Sequence, residues 1–144
     1  MFEKIVVAYN EAPESARALT AAIALAKKLD AQLQAITVKK KLAAYTAFAA
    51  AADPSALQVL HDDQARLYGS LEERAQALAR RSGVTLTCHQ VDGHDVEAIL
   101  QLLRMEKASL LVVGLHQPDF YISRLWSTVY DLAQNSPCSV LGVH

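Results

Sequence analysis

The stretch GLHQPDFYISRLWST, Gly114 to Thr128, lies between an apolar run, SLLVVG, and a segment with helical spacing. A glycine at a strand end, followed by hydroxyl residues at a helix start, suits an oxyanion. The glycine lets backbone approach a phosphate, and the amides near Ser127 and Thr128 would point at it. The residues between them oppose that chemistry. Gln117 brings a side chain, at a cost of about 1 kcal/mol wherever the backbone needs a positive φ. Pro118 has no N–H to donate, and Asp119 puts negative charge where a polyphosphate would lie. Ser127 or Thr128 also suits a helix cap, with Asp131 three positions after Thr128 completing a capping-box-like pair, so a phosphate is not needed to explain them. Phe120, Tyr121, Ile122, Leu125 and Trp126 make the loop apolar; they could pack inside the fold or against a partner, and internal packing is the expectation.

No other grouping suggests catalysis or a metal. His61, His89, His94, His116 and His144 lack ligand spacing such as two histidines four apart on a helix, and no cysteine pair reinforces them. Cys88 falls mid-strand and Cys138 follows a proline at a strand entry, so both read as reduced structural thiols. The chain is therefore expected not to be an enzyme.

The elements that must position the loop follow from periodicity. Lys4 to Asn10, with IVVA at its centre, reads as a strand buried on both faces. Pro13 fits the first turn of a helix, Glu14 suits its positive end, and Leu19, Ile23, Ala26 and Leu29 mark its inner face to about Asp30. Leu33, Ala35, Ile36 and Val38 form a second strand. The alanine-rich passage from Leu42 to Ala56 has helix propensity without a large apolar stripe, and is either a mobile connection or a loosely held helix. Leu57, Leu60, Gln64, Leu67, Leu71, Ala75 and Leu78 then step by three or four along a long amphipathic helix that Gly83 stops. Val84 to Val91 is a third strand, Gly93 a turn, and His94 to Lys107 a helix with Val96, Ile99, Leu100 and Leu103 inward. Ser109 to Gly114 is a fourth strand, Ser127 to Gln134 a short helix, and Ser139 to His144 a last strand.

This alternation predicts an α/β chain: a single domain over residues 1–144, with a doubly wound, mostly parallel five-stranded sheet and helices on both faces. Its ligand site would lie beyond the carboxyl ends of the strands, where strand order reverses. With 144 residues, 52% hydrophobic and 20% charged, the composition suits one soluble core and is too interrupted by charge for a membrane span. A net charge of -1 leaves no footprint for nucleic acid; Lys39 to Lys41 is too short to supply one and reads as a solvated strand end. Met1 leads straight into strand-like sequence without a signal peptide, so a cytoplasmic location is expected.

Gly114, two residues, Gln117, nine residues, then Ser127 and Thr128 has the spacing of the nucleotide signature of the universal stress proteins: Gly, two residues, Gly, nine residues, Gly, then Ser or Thr. KIVVAYN stands where that family has an opening strand ending in Asp, VDGHDVEAIL where it has a Gly-containing turn into a helix, and SPCSVLGV at its end. The sequence thus resembles a universal stress protein over essentially its full length, which implies the Rossmann-like fold of that family. The His-x-Gly-His and Ser-Gly-Gly signatures of nucleotidylyl-transferring and ATP-pyrophosphatase relatives of the fold are absent.

In ATP-binding members the opening-strand Asp contacts the nucleotide and the glycine-rich loop wraps the phosphates. Here Asn10, Gln117 and Ser127 depart from that pattern, while Gly114 and Thr128 match. The resemblance implies a vestigial nucleotide site at Ala8, Asn10, Val38, Gly114, Gln117, Ser127 and Thr128, with no cofactor held tightly and ATP or AMP bound at most weakly. Losing two charge-assisted phosphate bonds at about 1.5–3 kcal/mol each would weaken affinity by roughly a hundredfold or more. The expected function is that of a non-enzymatic stress-response protein acting through dimerisation and contacts with an unknown protein partner; the alternative is a regulatory adenine-nucleotide binding module. The apolar closing strand, Ser139 to His144, would be an unprotected edge, and both this and the resemblance imply a homodimer through it.

Overall fold

The computed structural model describes residues 1–39, 48, 51–116 and 128–144. The expectations for Gln117, Ser127, the loop aromatics, Lys40, Lys41 and most of the alanine-rich passage lie outside the described residues. Five strands, β1 (Lys4–Ala8), β2 (Gln32–Lys39), β3 (Leu86–Asp92), β4 (Leu110–Gly114) and β5 (Ser139–Val143), form one sheet in the order β3-β2-β1-β4-β5. Every ladder is parallel. Among the described residues, the helices that connect or cover them are α1 (Pro13–Leu29), α2 (Pro54–Arg81), α3 (Asp95–Glu106) and α4 (Thr128–Asn135).

Strand alternation sorts the core into two layers. Ile5, Val7, Leu33, Ala35 and Val112 face α1 and α2, where they meet Leu19, Ile23, Leu71 and Ala75. Val6, Ile36, Leu111 and Val113 face α3 and α4, where they meet Ile99, Leu103 and Leu132. β1 is buried on both faces, as its unbroken apolar run requires. The chain builds outward from β1 to β3, then returns past β1 to lay down β4 and β5. Order therefore reverses between β1 and β4, the doubly wound arrangement expected, and the carboxyl ends of these two strands flank a crevice.

Several boundaries differ from expectation for local reasons. β1 ends at Ala8, not Asn10, because the Asn10 side chain is engaged with the start of α1. β3 starts two residues later than expected and ends one later, from Leu86 to Asp92. α2 begins at Pro54, ahead of Leu57, because Asp53 caps it by accepting the Ser55 N–H at 3.1 Å. Serine's hydroxyl and backbone N–H hold the Asp53 carboxyl below its usual range. Gly83 (φ +73°) and Gly93 (φ +137°) take the positive φ their turn roles need.

The apolar stripes are less buried than their spacing suggests. Leu29, at the end of α1, is 48% exposed, and Leu67 is 43% exposed. Burial on α2 begins only at Tyr68 and continues through Leu71, Ala75 and Ala79. The cause is length: 28 residues of helix run about 42 Å, whereas the strand beside it spans roughly 23 Å, so the first half of α2 has no sheet beneath it.

Candidate functional site

The crevice beyond β1 and β4 is a cleft of about 520 Å³, a size suited to a small ligand. Its first wall is built at the turn after β1. The Tyr9 N–H still donates to the Ile36 carbonyl at 2.9 Å; one residue later the chain breaks from the sheet. Ala12, the residue flanking α1, has no side chain able to cap it. Asn10 supplies that function from two positions upstream: its Oδ1 accepts the Ala12 N–H at 2.9 Å and the Ser15 hydroxyl at 2.8 Å. Ser15 Oγ in turn accepts the Asn10 N–H at 3.2 Å. The Asn10 oxygen is thus committed to holding the turn, leaving no carboxylate there for a ribose.

The opposite wall is the end of β4. A Cβ built on Gly114 would lie 2.3 Å from the Glu14 carbonyl oxygen and 2.9 Å from the Glu14 Cβ. Glycine is required here because the first turn of α1 crosses directly over β4. Packing therefore accounts for Gly114 without any phosphate.

The floor is apolar, made by Ala8, Ile36, Val38, Ile99, Val113 and Leu132, and Thr128 joins it as the first residue of α4. Thr128 is helical, which leaves it no capping role of its own, and the expectation for Ser127 lies outside the described residues. The mouth carries Glu11, Glu14 and Asp95, with no lysine or arginine among the described lining residues. His116 Nδ1 lies 3.5 Å from Glu14 Oε1, an ion pair when the imidazole is protonated. The arrangement suits a flat apolar or aromatic group on the floor and repels a polyanion at the mouth.

Of the seven residues proposed from sequence, Ala8, Asn10, Val38, Gly114 and Thr128 line this cleft together. Sequence reasoning missed Glu11, Asp95, Ser15 and His116, and read Glu14 only as a helix-dipole residue. Asp95 was within reach, since it follows the turn at the carboxyl end of β3, and loops after every parallel strand open on the same side of the sheet. His89 lies elsewhere: its Nε2 is 2.9 Å from Gln34 Oε1, and Gln34 Nε2 donates to Glu106 at 2.9 Å. Among the described residues no group of acidic, histidine or cysteine side chains could hold a metal ion. No described helix is long and apolar enough to cross a membrane. Cys88 is half-buried, and burial pushes its thiol up to about 11.

The universal stress protein family model matches residues 1–144. The chain belongs to the universal stress protein family. Among solved structures it is similar to the universal stress protein UspA from Lactobacillus plantarum, at 22% identity and TM-score 0.77, over 99% of this chain and 98% of that one. A universal stress protein family member from Burkholderia pseudomallei is 26% identical at TM-score 0.74, over 99% of this chain and 96% of that one. A universal stress protein solved in complex with cAMP is also 26% identical, at TM-score 0.76, over 99% of this chain and 97% of that one. A search of the curated proteins found no match.

Proposed function

We propose that this universal stress protein is non-enzymatic, works in the cytoplasm as a homodimer that contacts a protein partner, and does not hold ATP tightly. The observation carrying the reading is the charge of the cleft lining, which includes Glu11, Glu14 and Asp95 without a lysine or arginine among the described lining residues. A triphosphate entering there would meet like charge in the place where phosphate-binding sites supply amides, cations or both. The non-enzymatic part is supported by the partners of the polar groups. The Ser15 hydroxyl donates to an amide oxygen, which is no base, and His116 faces a carboxylate and not a hydroxyl.

Dimerisation is supported by β5. It pairs with β4 on one side only, its sequence SVLGV holds no charge or proline, and Leu141 on it is 37% exposed. Sedimentation equilibrium at tens of micromolar is expected to give twice the chain mass, and Leu141→Lys to shift the population to monomer. A monomeric wild type would overturn this part of the reading.

The second reading is adenine-nucleotide binding, favoured by one observation: the apolar floor has room and chemistry for a purine ring, and a structural neighbour carries cAMP. On this reading the ligand carries one phosphate, whose charge of about −2 or less the acidic lining tolerates better than the larger charge of a triphosphate. Intact-mass analysis of small molecules released from denatured purified protein separates the two. A co-purifying adenine nucleotide at high occupancy supports the second reading, and its absence supports the first.

A further inference from the structure

A second groove, of about 330 Å³, runs on the other side of the Tyr9–Ala12 turn, between the start of α1 and the second half of α2. Arg74 and Arg81 both line it. Seven residues apart, they occupy one face of α2 two turns from each other, with Ala77 and Leu78 between them forming an apolar floor. No described carboxylate lies within ion-pair distance of either guanidinium, and Glu11 is the one acid on the described lining. Tyr9 closes the inner end. Its ring is packed into the α1/α2 core and the residue is only 7% exposed, yet its hydroxyl has no hydrogen-bond partner among the described residues. Every fully buried polar side-chain atom among those residues is satisfied, so the Tyr9 hydroxyl retains solvent access; Tyr9 lines both this groove and the acidic cleft, and Arg74 is near enough to act on its ionisation.

We propose that this groove is an anion subsite for a small organic phosphate, with the Tyr9 hydroxyl and the Arg74 and Arg81 guanidiniums holding the phosphate and the Ala77–Leu78 floor taking its organic part. Two planar donor forks and a hydroxyl offer more donors than the two oxygens of a carboxylate can accept, and match the oxygens of a phosphate. The Tyr9 hydroxyl, engaged by no protein group among the described residues, is free to donate to a bound oxyanion. The site is separate from the acidic cleft and does not depend on whether that cleft holds a nucleotide.

Backbone-amide NMR of the full chain, titrated with inorganic phosphate and then with AMP, tests this. Both ligands are expected to shift the amides of Ala12, Ala16 and Ala77, saturating in the millimolar range or tighter, with AMP binding more tightly than phosphate through the apolar floor. Replacing both cations in R74Q/R81Q should weaken binding at least about tenfold, and Tyr9→Phe, which keeps the packed ring, roughly threefold. Shifts that persist unchanged in both variants, shifts centred on Gly114 and Thr128, or no saturable shift at all would each overturn the proposal.

Discussion

Two clefts share the wall formed by Tyr9, Asn10 and Glu11, and they have opposite electrostatics. On the β4 side the described lining offers three carboxylates and a histidine; on the α2 side it offers two guanidiniums against one carboxylate. Topology dictates the first cleft, since any doubly wound sheet opens where its strand order reverses. Nothing in the topology dictates its charge. The lesson is that a fold supplies a place to bind, while the side chains at its rim decide what the place rejects. On the reading proposed above, the described acidic lining of this cleft disfavours polyphosphates.

The strongest way to break the comparison is to test whether the inherited cleft is built by packing or by ligand demands. Gly114→Ala drives a methyl into the Glu14 backbone, which cannot rotate away. A loss of about 3 kcal/mol is expected, lowering the melting temperature by roughly 10 °C. Thermal denaturation followed by circular dichroism measures it, and an unchanged midpoint would contradict the close approach of α1 to β4.

Next in size is the charge of the mouth. Neutralising it in the E11Q/E14Q/D95N variant should improve ATP binding by about 2 kcal/mol, roughly thirtyfold, with most of the gain lost at high salt. Calorimetric titration reads both effects. An equal affinity in variant and wild type would remove charge as the reason for discrimination.

A smaller effect is expected at the shared wall. Asn10→Ala removes the acceptor for Ala12 and Ser15, costing about 1–2 kcal/mol in urea denaturation. Asn10→Asp keeps that acceptor, adds negative charge at the α1 N-terminus and frees a second oxygen toward the cleft, so stability should hold or rise by about 0.5 kcal/mol. A destabilised aspartate variant would contradict the capping role.

The smallest effect concerns Cys88, outside both clefts. Its folded thiol is raised to about 11 from 9.0, chiefly by burial. A raised folded value means the native state holds the proton more tightly, so this contribution to stability is complete below pH 9 and is lost as pH climbs toward 11. Iodoacetamide labelling at pH 8 should accordingly be much slower at Cys88 in native than in denatured protein.

Much of the fold could be read from sequence because β1 and β4 are unbroken apolar runs and because Pro13, Gly83 and Gly93 punctuate the chain where dihedral limits demand it. The stripe on α2 misled, since periodicity reports which residues share a face and not whether anything lies opposite; Leu67 has the right spacing and no sheet beneath it. The candidate cleft was half legible. Asn10 and Gly114 were found through the family resemblance, yet their structural duties depend on Ser15 and Glu14, contacts that no motif reveals. The arginine groove was not legible at all, because Tyr9 and Arg74 are far apart in the chain and meet only through packing.

The central claim, that the cleft between β1 and β4 does not hold ATP tightly, is tested most directly by calorimetric titration of the wild-type chain with ATP and magnesium. The account requires a dissociation constant weaker than about 100 μM, or no measurable heat. A value below about 10 μM would contradict it, because an acidic mouth and a side-chain oxygen committed to capping leave too few favourable contacts to reach that affinity.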